Sequence, residues 1–162
     1  MKLLKTLVVA ATCTGLASAV PDIEFDLQLE SSNATFDGQW LYMMKYGQNP
    51  EDYFASYNHE KMEDPFYAET DPVPYIGLDQ SREGGGAYFS TFRDLDEPDT
   101  LYFIQNILHI SQDKHIDFDG DYLTYVGPDA QDKTWRFCDS LHISYGPAGE
   151  CNDIRLKVVP RE

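Results

Sequence analysis

The sequence predicts an all-β domain of antiparallel strands, a β-sandwich or barrel-like fold with a β-trefoil as the alternative. Three observations carry that expectation. Short runs of apolar, aromatic or β-branched residues recur at close intervals, the separators are turn-forming clusters such as DLDEPD, SQDK, DGD and GPDAQDK, and no helical pattern recurs between the runs. A parallel α/β sheet needs a crossover helix after each strand, so that class is excluded.

The first 19 residues, MKLLKTLVVAATCTGLASA, place Lys2 and Lys5 before an apolar stretch and end on Ala17, Ser18 and Ala19. That order of basic, apolar and small residues reads as a secretory signal peptide over 1–19, and the stretch is too short and too interrupted to span a bilayer. Residues 20–162 then form a single all-β domain of 143 residues (162 − 19), long enough to bury one core. In IEFDLQL, residues 23–29, the apolar and polar positions alternate as in a strand with one buried face. Ser31, Ser32 and Asn33 break the pattern, and Asn33-Ala34-Thr35 is an acceptor sequon for an N-linked glycan. FDGQWLYMMKY, residues 36–46, supplies a D-G turn and a second strand.

From 47 to 86 the character changes to an irregular excursion rich in proline, tyrosine and acid. NPEDYFASYNHEKM has the makings of a short helix, with Asn49 as cap and Pro50 at the first position, and the rest reads as a long loop ending in a triple glycine. Strand runs then follow at 87–92, 101–103, 107–110, 116–118, 122–126, 135–137, 141–145 and 154–158. Two of them share a pattern: IQNILHIS at 104–111 and FCDSLHIS at 137–144 lie 33 positions apart. In strand alternation His109 and His142 would occupy equivalent places facing away from the core.

Once the leader is removed, Cys13 goes with it and Cys138 and Cys151 remain as a pair. In an oxidising compartment such a pair forms a disulfide, closing a 14-residue loop whose chain-entropy stabilisation is about 3 kcal/mol. Lys2 and Lys5 also leave, so 10 basic residues face 28 acidic ones, a formal charge of −18. That field repels phosphate backbones and anionic headgroups, which excludes nucleic acid as a partner and argues against membrane insertion or binding.

No catalytic motif emerges. A cysteine nucleophile beside His142 would have to stay reduced, and no zinc-ligand spacing or nucleophile elbow is present. Asp117, Asp119 and Asp121 around Gly120 form an acidic turn that is a weak calcium candidate, short of the ligands a complete loop supplies, so no metal or other cofactor is assigned. The aromatic residues point to binding instead. Trp40, Tyr53, Tyr57, Tyr67 and Tyr75 are candidates for a ligand face, since rings flanked by Asp and Asn can hold sugars in water.

The leader, the early F-x-L strand at Phe25 and Leu27, the nearby sequon, strand pairs ending in L-x-I or L-x-Y, and a C-terminal cysteine pair beside W-x-F resemble small secreted fungal proteins of the cell-wall and cell-surface type. The similarity covers mostly residues 23–42 and 101–158. It implies an all-β, glycosylated, extracellular protein without demonstrated catalysis, and the 47–86 excursion departs from it. The expected function is therefore a non-enzymatic, cell-wall-associated or effector-like protein binding a wall polysaccharide or an extracellular protein. The alternative is a small secreted glycoside hydrolase using paired carboxylates, which would need two acids a few ångströms apart in a cleft.

Overall fold

Alternation decides which face each strand buries, and the first strand shows it: Phe25, Leu27 and Leu29 are all at most 1% exposed, while Gln28 and Glu30 are half-buried on the other face. The computed structural model describes residues 21–162 apart from 46–51, 72, 80–85, 94–98, 129 and 139–141. The leader-like stretch 1–19 and Gly84 and Gly85 of the triple glycine lie outside the described residues. The described residues form twelve strands: β1 (Phe25–Ser31), β2 (Trp40–Lys45), β3 (Asp52–Asn58), β4 (Phe66–Glu69), β5 (Tyr75–Asp79), β6 (Ala87–Arg93), β7 (Thr100–Ile104), β8 (His115–Asp119), β9 (Tyr122–Val126), β10 (Lys133–Phe137), β11 (Ile143–Pro147) and β12 (Asn152–Pro160). The only helical pieces among the described residues are 3-10 turns at Ile107–His109 and Ala130–Asp132, so none is long and apolar enough to cross a membrane.

All pairings are antiparallel, and they close. β1 runs along β12 for seven residue pairs, from Phe25 opposite Pro160 to Ser31 opposite Ile154. A hydrogen-bonded circuit passes through β1, β4, β5, β6, β7, β11, β10 and β12 and back to β1, forming an eight-stranded barrel with β2–β3 and β8–β9 as outer hairpins. The pairings also recur with a four-strand period. The hairpins β2–β3, β6–β7 and β10–β11 begin at residues 40, 87 and 133, which are 47 and then 46 positions apart. β3 and β11 both meet β7, and β4–β5, β8–β9 and β12–β1 alternate with the hairpins. This is the organisation that the β-trefoil alternative anticipates.

The 33-residue LHIS spacing is therefore not the structural repeat. His109 ends an exposed 3-10 turn, with Leu108 87% exposed, whereas His142 is buried edge-on against Phe54 of β3 at 4.1 Å between ring centroids. The expectation that both face solvent from strands is corrected for His142, because β3 packs over the segment that enters β11. Residues 107–109 turn rather than extend, with the Asn106 side chain accepting from the Leu108 N–H.

The 47–86 excursion is likewise not irregular: it holds β3, β4 and β5. DYFASYN, which Pro50 and Glu51 made look like a helix start, is a strand paired with β2 from Trp40 opposite Asn58 to Lys45 opposite Tyr53. Its aromatic residues favour sheet, and cross-strand pairing overrides the capping signal upstream. The hairpin at Asp119–Tyr122 closes with two loop residues, the first being Gly120 at φ 58°, the positive φ that a II′-type turn needs there.

Two buried carboxylates fasten the barrel. Asp26 on β1, 3% exposed, takes Arg161 through Nε and Nη2 and Lys61 at 3.0 Å. Arg161 also donates to the carbonyls of Met62 and Glu63, which ties the turn before β4 to the last residues of the chain. Asp99, at φ 56° just before β7, pairs with Lys114 at 2.6 Å and Lys133 at 3.0 Å. Burial alone would raise both carboxyls, but the bonds and charges of these cations outweigh it and hold each below the usual carboxylate range.

A carboxyl whose pKa is depressed on folding stabilises the fold above its unfolded pKa and loses that contribution as pH falls through the folded value. Stability should therefore be flat above about pH 5 and decline below about pH 4. Asp26→Asn should lower stability at pH 7 by about 3 kcal/mol and shrink the acid decline, as read by urea unfolding across pH. A decline of unchanged size in that variant would show that Asp26 does not carry it. The Cys138–Cys151 bond is formed, with the Cα atoms 4.9 Å apart. Replacing both cysteines by alanine should cost about 3 kcal/mol in the same measurement.

Candidate functional site

The five aromatic residues expected to form a ligand face are distributed over four strands, Tyr75 buried and the other four half-buried. Tyr75 is 5% exposed and edge-on to Phe89, which corrects its expected exposure. Tyr53 meets Tyr88 edge-on, and Tyr57 packs against Phe36 and Phe137. Trp40 lies beneath the Lys61 ammonium at 4.2 Å, the same lysine that reaches Asp26. Tyr67 lies across its cross-strand partner Gly77, a contact no side chain at 77 would allow, and its hydroxyl reaches Asp79 at 3.5 Å. Burial and the neighbouring Asp79 push the Tyr67 hydroxyl up to about 12. These rings are spread over the β2–β3 hairpin, β4 and β5, each with its own packing partner.

The acidic turn does not gather either. Asp119 and Asp121 are exposed at the hairpin tip, and Asp117 accepts the Phe118 N–H at 2.8 Å. Among the described residues no group of three or more His, Cys, Asp or Glu is placed to hold a metal ion.

What the structure brings together is a groove over β12. One edge of β12 is filled by β1. The other is shared, with β10 pairing Asn152–Ile154 and β9 pairing Leu156 and Lys157. At Arg155 the edge passes from one neighbour to the other, and the strands diverge there. The main hollow, about 530 Å³, is lined by Glu30, Ser31, Ser32, Asp37, Thr134, Asp153, Ile154 and Arg155. A smaller lobe of about 160 Å³ shares Thr134, Ile154 and Arg155 and continues to Tyr122, Thr124 and Asp119. The main hollow falls within the size range of small-ligand sites.

Its walls are held in place by their own bonds. The Tyr122 hydroxyl donates to Glu30 Oε2 at 3.0 Å, Lys157 pairs with Glu30 Oε1 at 3.3 Å, and the Arg155 guanidinium lies 3.4 Å from the Tyr122 ring centroid. Across the hollow, Asp37 Oδ1 accepts the Ser31 N–H at 3.1 Å, and the Ser31 hydroxyl donates to the Asp153 carbonyl at 2.9 Å. Both Asp153 oxygens accept the Gly149 N–H, at 3.1 and 3.0 Å, where Gly149 at φ 77° turns the chain back toward Cys151. The groove thus presents carboxylates, hydroxyls, the Arg155 guanidinium and the Tyr122 ring in fixed positions.

Sequence reasoning missed this site, although one signal was present. In NDIRL the polar residues Asp153 and Arg155 alternate with Ile154 and Leu156, so they had to share the outer face of the last strand. Comparison of the chain with protein-family models, with curated proteins and with solved structures finds no match.

Proposed function

We propose that the protein is a secreted, non-enzymatic binding domain that takes a glycan in the groove over β12, between β1 with the loop after it on one side and β9 and β10 on the other. The observation that carries the reading is Tyr122, fixed in the groove by Glu30 and Arg155 beside further carboxylates and hydroxyls. A neutral, hydroxyl-rich ligand finds acceptors, donors and an aromatic surface there, whereas polyanions meet Glu30, Asp37, Asp119 and Asp153. The leader-like first 19 residues and the Cys138–Cys151 disulfide support an extracellular setting, at a wall or cell surface.

The hydrolase alternative has less support. A carboxyl acting as acid or base must be available to the scissile bond, yet Glu30, Asp37 and Asp153 are each already engaged by a neighbouring hydroxyl, ammonium or backbone N–H. The displaced carboxyls Asp26 and Asp99 are both lowered and serve as ion-pair anchors.

The test is a glycan array and polysaccharide pull-down of residues 20–162, coupled to a reducing-end assay. Retention without new reducing ends is expected, and Tyr122→Ala should weaken it roughly tenfold at an unchanged fold checked by circular dichroism. New reducing ends would replace this reading with the hydrolase. Absence of both retention and cleavage would replace it with a protein partner.

A further inference from the structure

The loop forming one wall of the groove contains Asn33-Ala34-Thr35, and its bonds tie that asparagine to the start of β12. Asn33 Nδ2 donates to Asn152 Oδ1 at 2.9 Å, and Asn152 Nδ2 donates to the Phe137 carbonyl at 3.3 Å. Asn33 Oδ1 accepts the Thr35 N–H at 3.0 Å, which fixes the side chain over its own turn. Asn33 is half-buried, while Ser32, Ala34 and Thr35 are exposed. Ser31, Ser32 and Asp37 on its own loop line the groove, and so does Asp153, the neighbour of Asn152.

We infer that Asn33 carries an N-linked glycan whose first sugars stand at the mouth of the groove and control what enters it. In the transfer, Asn33 Nδ2 gives up one proton and bonds to the anomeric carbon of a lipid-linked oligosaccharide diphosphate. The bond from that carbon to the diphosphate oxygen breaks, the lipid diphosphate leaves, and no electrons are exchanged. In the folded protein Nδ2 is held by Asn152, so the transfer belongs to the chain before it folds. The product is a secondary amide that keeps one N–H, enough to retain the bond to Asn152. The sugar replaces the other hydrogen, so the modified loop can remain fastened to β12. A bulky, hydrated chain at this position narrows the approach to the main hollow without touching the core.

The consequence for ligand access rests on the groove reading above, but the test needs no ligand. The full chain is expressed through a eukaryotic secretory pathway with Thr134, which lines both lobes, changed to cysteine as a reporter. Intact mass should show one oligosaccharide, absent in Thr35→Ala and in Asn33→Gln; Thr35→Ala keeps the asparagine and its bond to Asn152. A small maleimide should label Thr134→Cys at the same rate with and without the glycan. A dextran-linked maleimide should react roughly tenfold more slowly when the glycan is present. An unmodified Asn33 in the secreted chain, a chain that never enters the pathway, or equal rates for the large probe would each overturn the inference. A negative glycan array alongside slowed labelling would remove the proposed ligand and leave the occluding glycan standing.

Discussion

The rest of the structure depends on the pairing of the first strand with the last. Seven consecutive residue pairs join β1 to β12, and without them the eight-strand circuit is an open sheet with two exposed edges. Asp26 and Arg161 reinforce that seam at one end, where a buried carboxylate meets a guanidinium that also holds the Met62 and Glu63 carbonyls. The Cys138–Cys151 disulfide braces the opposite edge, tying the end of β10 to the start of β12. Because β12 is filled by β1 on one edge and divided between β10 and β9 on the other, the closing strand is also the floor of the groove. Closure and site are two consequences of one strand.

The aromatic content serves the same closure. Phe92, Trp135, Tyr145 and Tyr125 form a chain of stacked and edge-on contacts, and Trp135 donates its indole N–H to the Leu123 carbonyl at 2.7 Å. Phe25 meets Phe118 edge-on across the interior. These rings share the interior with leucines, isoleucines and a valine from most of the strands. Glycines at 77 and 146 give up their own side-chain space to Tyr67 and Arg136. The tyrosine-rich composition that suggested an exposed ligand face is thus largely packing material, and Tyr122 supplies an aromatic wall of the groove because its partners are Glu30 and Arg155.

The groove's rigidity follows from where its side chains are anchored. Three of the acidic wall residues are anchored to another element: Glu30 to β9 and β12, Asp37 to β1, and Asp153 to the Gly149 turn. Such cross-links fix donor and acceptor positions before a ligand arrives, which lowers the ordering cost of binding. They also explain why the loop from Ser32 to Gly38 lies against β12, with Asn33 joined to Asn152.

Local periodicity was sufficient to read the strand-rich class, the alternating face of β1 and the D-G hairpin at 119–122, because each depends on neighbours within a few residues, whereas the cysteine pair was read from the leader and the even number of cysteines that follow it. The sequence did not reveal β3, since Pro50 and Glu51 imitate a helix start and only the β2 register overrides them. It misplaced His142, whose burial is imposed by Phe54, a residue 88 positions earlier. It suggested a 33-residue repeat from shared letters, whereas the structural period near 47 is set by which hairpins pair. The groove was visible only as an alternation of Asp153 and Arg155, because its other walls, residues 30–37 on one side and β9 and β10 on the other, are brought there by barrel closure. Composition and alternation determined that this chain makes antiparallel strands with one face buried. Tertiary structure alone decided which edges meet, and hence where a site exists, because edge pairing is a long-range choice that no local pattern encodes.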